Sequence, residues 1–503
     1  MRRVPLVARV ALAGALALTG AGACSGGEEP LRVLAGSEVK DLEPLLKESG
    51  LNVELTYTGT LDGAEQVASG GADGRYDAIW FSSNRYLSLI DGARERLSTQ
   101  TKVMVSPVVL GLKPAKAAEL GWDSAPPSWS DIAAAATAGR FTFGMTNPAS
   151  SNSGFSALVG VAAALSDAGD ALSAEQIHAV TPQLKGFFSA QRLTSGSSGW
   201  LADAYARSPG VDGLINYESV LRGMNLTLIY PSDGVVSADY PLTLLAASPK
   251  KAEYDRLATW LRSGDVQRKI MTTTFRRPIV PGIGSEKPVL ELPFPNRRSA
   301  ADELIGAYLN EVRVPARARF VLDTSGSMEG ERIDALRQAL VTLTGADTSA
   351  SGTFSRFRNR ERVTMIPFND TPRPPSAFTL PERDPEPALR EIRSFAEGLR
   401  AGGGTAIFDA LRTAYQEPVE PGHYTSIVLM TDGENTDGST AADFDAFFRG
   451  LPEGQRMVPT FVVLFGDSDV EEMTAIANLT GGAVFDARTG SLAAAFKEIR
   501  GYQ

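Results

Sequence analysis

Apolar positions recur along the chain at two periods, one suited to strands and one to helices. Leu31-Arg-Val-Leu-Ala35 is a short apolar run that predicts a strand, and it leads through Gly36-Ser37 into a helix near 39–49. Asn52-Val-Glu-Leu-Thr-Tyr57 alternates at the strand period, and Tyr76-Asp-Ala-Ile-Trp-Phe81 is a further strand. A second unit spans about 110–232. Its strand Phe141–Met145 runs through a polar loop into a helix over Phe155–Leu165, and Leu226–Tyr230 is another strand. Tyr240–Leu245 reads as a strand returning to the first unit, followed by a helix over Lys251–Ser263. Pro281–Arg298 is rich in Pro and Gly and reads as a linker, after which Ala300–Val312 has a helical apolar pattern closed by Pro315. In the last part, strands are expected at Ala318–Leu322, Arg362–Phe368, Ser426–Met430, Thr460–Phe465 and Ala483–Phe485, with helices over Arg332–Leu343, Ala406–Tyr415 and Leu492–Ile499. Strand and helix in alternation predict α/β domains with largely parallel sheets, in which ligands gather at the carboxyl ends of strands.

That rule makes the chemistry of the last part specific. Its first strand delivers Asp323-Thr-Ser-Gly-Ser327 into a loop, where Asp323, Ser325 and Ser327 are alternate residues able to turn toward one point. Gly402-Gly-Gly-Thr405 opens a helix, and Thr405 adds a hydroxyl. Ser426–Met430 ends in Thr431-Asp432-Gly433, and Asp432 adds a second carboxylate. All five side chains offer oxygen, the donor that hard cations such as Mg²⁺ favour. Any one of these segments alone reads as a turn or a helix cap. Three at one sheet edge read as a metal site.

In the first two units the candidates are hydroxyls at strand ends and helix starts: Ser37, Ser82, Ser83, Ser151 and Ser153, with Tyr217 after the 214–216 strand. A helix N-terminus suits an anion, although Ser at such a place is usually a cap.

The amino-terminal stretch concerns location. Arg2 and Arg3 precede a run over Val4–Leu18 that is apolar apart from Arg9, and small residues then lead to Cys24, the one cysteine of the chain. The run is short for a membrane span and reads as an export signal. A disulfide within the chain is excluded. No later segment approaches the ~20 apolar residues that a span needs.

The chain has 503 residues, enough for roughly two to four domains. Its 59 acidic against 49 basic side chains give a net charge of −10, which together with the absence of a basic patch argues against nucleic acid as a partner. Enzyme activity is not expected. The two histidines, His178 and His423, supply no base beside the metal loops, and Ser195-Gly-Ser-Ser-Gly199 is only a loose echo of a nucleophile elbow.

Three resemblances follow. Thr19-Gly-Ala-Gly-Ala-Cys24 resembles a bacterial lipobox, with Ala21 where Leu is usual. This implies a signal peptide over 1–23, a lipid on Cys24, a tether over 24–30, and an extracytoplasmic protein anchored to the membrane by lipid alone. Residues 31–285 resemble the type II periplasmic solute-binding proteins through Asp77–Ser82, Val105–Gly111, Asn147-Pro148 with Ser153-Gly154, and Tyr230–Gly234 with Asp239–Pro241. This implies two lobes, hinge crossings near 103–110 and 237–245, and a small-molecule or anionic ligand between the lobes. Residues 315–503, after a linker and connecting helix over 286–314, resemble von Willebrand factor A-type domains. Asp323, Ser325, Ser327, Thr405 and Asp432 fill the pattern of their metal-ion-dependent adhesion site. This implies Mg²⁺ (or Mn²⁺ or Ca²⁺) and a protein partner that offers an acidic side chain to the metal. The expected architecture is α/β: a bilobed binding-protein-like region, then a doubly wound, Rossmann-like domain. The expected function is metal-dependent docking by a tethered binding protein. The alternative is the solute-binding component of an ABC transporter.

Overall fold

The structure is a computed structural model that describes residues 29–167, 169, 171–284, 288–488 and 491–503. The expected leader, the lipid site at Cys24 and most of the tether lie outside the described residues.

The first sheet begins with β1 (Leu31–Gly36), paired in parallel with β2 (Val53–Thr58) on one side and β3 (Ala78–Trp80) on the other. The expected helix near 39–49 is instead a 3₁₀ turn over Ser37–Leu42 and a short α-helix over Glu43–Lys47. Pro44 explains the break, because proline opens a helix but cannot continue one. At the sheet's edge lies β4 (Leu97–Lys102), and after Val103 the chain enters β5 (Met104–Leu112) of a second sheet. There β6 (Phe143–Thr146), β7 (Gln191–Ser195) and β8 (Gly213–Tyr217) run parallel, with β8 antiparallel to β5. β9 (Thr227–Ile229) and β10 (Ser237–Ala238) also pair with β5. The chain then returns as β11 (Pro241–Leu245), seated between β3 and β4 of the first sheet. The two lobes are therefore joined at Val103 and at Asp239-Tyr240. Tyr240 adopts φ 41° at the second crossing, a conformation that a bulky residue holds only where its surroundings enforce it. β12 (Arg277–Pro278) adds to β5.

The segment read as a linker packs on the second lobe. Val235 donates to Leu290 O at 2.8 Å, Leu292 donates back to Val235 O at 2.8 Å, and Phe294 meets Phe155 edge-on. The helix Arg298–Ala307 and its continuation to Val312 bury Leu304, Ile305, Tyr308 and Leu309 in the core shared by the lobes. An amphipathic helix needs a surface for its apolar stripe, and the lobes provide it.

The last domain is one six-stranded sheet. β13 (Ala316–Asp323) pairs in parallel with β14 (Arg362–Phe368), which carries the antiparallel edge strand β15 (Ser376–Thr379). On its other side β13 meets β16 (Tyr424–Thr431), then β17 (Thr460–Leu464) and β18 (Val484–Asp486), all parallel. β13 is buried along its whole length, as its near-continuous apolar run requires of a strand covered on both faces. Separate apolar cores lie on the two faces of the sheet.

The domains are held together by specific contacts. Tyr502 packs edge-on against Trp200 at 5.0 Å, and Trp200 lies 5.9 Å from Phe461. Asn147 Nδ2 donates to Arg500 O at 3.5 Å, and Arg207 Nη2 to Gly481 O at 3.2 Å. Beneath them the fully buried Glu361 pairs with Arg500 at 2.6 Å and with Arg313 of the connecting segment.

Candidate functional site

The carboxyl ends of β13 and β16 are neighbours, so Asp323 and Asp432 arrive side by side without any special loop. Both carboxylates are fully buried. Asp323 Oδ1 accepts the Ser325 N–H at 2.8 Å, and its Oδ2 accepts the Thr431 hydroxyl at 2.6 Å. The Ser325 and Ser327 hydroxyls lie 2.9 Å apart, and Ser327 donates to Asp432 Oδ1 at 2.8 Å. Four of the five expected side chains thus form one hydrogen-bonded chain. Ser327, at its rim, is exposed.

The fifth residue belongs to the 402–405 loop. Gly402 N–H donates to Thr324 O at 2.9 Å, and Gly326 N–H to Gly403 O at 2.8 Å, which locks this loop against the first. Gly403 has φ 89°, and a Cβ there would stand 2.4 Å from Asp370 Oδ2, so glycine is required on both counts. Thr405 is buried, with its N–H held by Asp437 Oδ2 at 3.1 Å and by the Thr436 hydroxyl at 3.0 Å. Asp370 and Asp437, held to the N–H groups of Gly404 and Thr405, form an outer acidic rim.

Burial pushes the Asp323 carboxyl above its usual range; hydrogen bonds from Ser325 and Thr431 oppose this, and Asp432 adds to it. A cation at this point would offset that burial. Among the described residues no three His, Cys, Asp or Glu side chains gather as a cage. The donor set is instead two carboxylates with hydroxyls from Ser325, Ser327 and Thr405. All are oxygen, and the set fits a small hard cation better than a soft one.

The other candidates divide. Ser37 and Ser151 line a cavity of about 540 Å³. Ser82, Ser83, Ser153 and Tyr217 are buried and are not part of its lining. Ser153 Oγ is within 2.8 Å of Thr146 Oγ1 and of Ser198 Oγ, and 3.1 Å from Ser151 Oγ, so it is an internal anchor. Tyr217 OH accepts from Asn152 Nδ2 at 3.0 Å.

The cavity has three walls. One lobe supplies Ser37, Glu38 and Asp62, and the other supplies Ser150, Ser151 and Ser197. The third wall comes from the last domain through Lys497, Glu498 and Tyr502. The helix Leu492–Arg500 lies so close to the second lobe that a Cβ on Gly501 would stand 3.0 Å from Ser150 Cβ. Nothing in the sequence pointed to these residues, because the pairing of distant domains leaves no local pattern. Glu38, Asp62, Asp486 and Glu498 line the space with one lysine, and Lys497 is engaged by Asp347. Burial, with Asp62 nearby, raises the Glu498 carboxyl. An anion, one of the two ligand types expected for the cleft, meets the wrong charge here.

Residues 45–276 match the family model of bacterial extracellular solute-binding proteins, and residues 319–498 match the von Willebrand factor type A domain. The chain therefore joins a solute-binding-protein-like domain to a von Willebrand factor A-type domain. Among curated proteins it is similar to inter-alpha-trypsin inhibitor heavy chain H4 of Sus scrofa, 32% identical over 136 residues, and of Homo sapiens, 34% identical over 137. Each match takes in 25% of this chain and only 13% of the relative's length. Among solved structures, apo ferric ion-binding protein A of Pasteurella haemolytica aligns over 56% of this chain and 96% of its own, at 12% identity and TM-score 0.43. A von Willebrand factor type A protein of Catenulispora acidiphila aligns over 38% and 43%, at 19% identity and TM-score 0.31. Among the described residues no helix is long and apolar enough to cross a membrane.

Proposed function

We propose that this protein is an extracytoplasmic, lipid-tethered binding protein that docks a protein partner through a divalent cation, Mg²⁺ foremost, held by Asp323, Ser325, Ser327, Thr405 and Asp432. The observation that carries this reading is the meeting of three loops, distant in sequence, around two buried carboxylates. The cation would leave a coordination position facing solvent beside the exposed Ser327. An acidic side chain of the partner is the ligand that position favours. We read the site as binding rather than catalytic.

The test is calorimetric titration of the full chain with Mg²⁺ and Mn²⁺, repeated on Asp323→Ala. Saturable binding in the parent and none in the variant is the expected result. No saturable binding in the parent, or equal binding in both, refutes it.

A second reading, the solute-binding component of a transporter, is favoured by the cavity of about 540 Å³. Its acidic, hydroxyl-bearing walls suit a small polar solute that is neutral or positively charged. Mass spectrometry of small molecules released by denaturing the purified chain tests it. A stoichiometric polar solute supports the reading, and a stoichiometric polyanion refutes the charge assignment.

A further inference from the structure

One cationic side chain enters the cluster around Asp323 and Asp432. Arg332 is the second residue of the helix Glu331–Val341, which follows the 323–327 loop. Its Nη1 lies 2.6 Å from Asp432 Oδ2, and its Nη2 lies 2.7 Å from Asp467 Oδ2. The other Asp432 oxygen already takes the Ser327 hydroxyl. Both oxygens of a fully buried carboxylate are therefore occupied from within the chain.

The arrangement is built into the neighbouring turn. Asp467 N–H donates to Asp432 O at 3.1 Å, and the Ser468 hydroxyl donates to Thr431 O at 2.7 Å, so the 466–468 turn is fastened to the end of β16. Gly466 sits in it at φ 57°, and a Cβ there would come 3.0 Å from both Arg332 Cζ and Asp432 Cβ. A side chain there would be strained at this φ and would crowd the guanidinium beside Asp432.

We propose that Arg332 is the site's resident counter-cation: it holds Asp432 in place when no divalent ion is bound, and it weakens the binding of one. The inference rests on the metal reading given above. Two effects follow from the geometry and have opposite signs. Removing the guanidinium leaves a buried carboxylate with less compensation, which destabilises the metal-free protein. It also removes a positive charge that repels an incoming divalent ion and competes for Asp432, which tightens metal binding. A side chain serving only to brace the loop would move both quantities in the unfavourable direction.

The experiment uses the full chain with Arg332→Met, Arg332→Gln and Arg332→Lys. Gln keeps a donor for Asp432 and serves if Met does not fold. Mg²⁺ affinity is read by calorimetry, and the unfolding midpoint is read in EDTA and in Mg²⁺. The neutral variants should bind Mg²⁺ about tenfold more tightly than the parent, a figure reduced from the bare Coulomb value because Arg332 is partly exposed. Their midpoints should fall in EDTA and recover by a larger margin in Mg²⁺, while Lys should stay near the parent in both. If the parent binds and the neutral variants bind equally or more weakly, the proposal is overturned and the metal reading stands. If neither parent nor variants bind, both fall.

Discussion

Trp200→Ala tests whether the last domain is truly a wall of the cleft. Trp200 rises from the helix Ser198–Ala206 of the second lobe and packs on the partly separate core of the last domain, against Tyr502 and Phe461. Each aromatic pair contributes about 0.5–1.5 kcal/mol beyond area burial. The indole is half-buried, so the change should cost less than the ~3–5 kcal/mol of a fully buried aromatic. We expect about 2–3 kcal/mol, all of it between domains. At 1.4 kcal/mol per decade this raises the undocked population by about 30–150-fold. Hydrogen exchange reads that population directly. Amides of the 147–151 and 196–200 loops and of the helix Leu492–Arg500 should lose protection by about that factor, whereas β13 and β1 should keep theirs. Unchanged protection on both sides of the contact would refute the docked arrangement.

Glu361→Gln should destabilise the last domain by about 3–5 kcal/mol, because it strands two buried guanidinium groups; a melting curve checks this. Burial pushes the Glu361 carboxyl up, but Arg500 and Arg313 outweigh it and hold it below the usual range. The pairing therefore contributes fully above the unfolded carboxylate range near pH ~4.3 and is lost as pH falls through the lower folded value. The parent should lose stability over that acidic window, and Glu361→Gln should show a flatter curve there. Ser327→Ala should cost the metal-free protein only about 1 kcal/mol, since the side chain is exposed, yet weaken Mg²⁺ binding measurably in the same calorimeter. Ser153→Ala should cost about 1–3 kcal/mol in chemical denaturation, as expected of an internal anchor with three hydroxyl partners.

What could be read in the sequence follows from how local each feature is. The strand entering Asp323 and the strand entering Asp432 are apolar runs ending in turn-forming residues. Their carboxyl ends meet because parallel neighbours in one sheet end at the same edge, so the meeting of the 323–327 and 431–433 loops was legible before any coordinates. The hinge crossings came only through the resemblance to periplasmic binding proteins, since neither Val103 nor Asp239-Tyr240 marks a break in the apolar pattern. The helix at 300–312 was visible as amphipathic, but nothing local says that its stripe is covered by the lobes rather than by the domain that follows. Ser153 looked like a ligand-facing cap because sequence shows a serine at a helix start and not the three hydroxyls around it. The third wall of the cavity and the pairing of Arg332 with Asp432 depend on contacts over 100 residues or more, which no periodicity encodes.

The central claim is that a divalent cation is held between the ends of β13 and β16. Anomalous diffraction from crystals of the full chain grown with Mn²⁺ tests it most directly. The account predicts one strong peak within coordination distance of Asp323, Ser325 and Ser327, lost in Asp323→Ala. A saturated crystal with no peak there, or with its strongest peak elsewhere on the molecule, would contradict it.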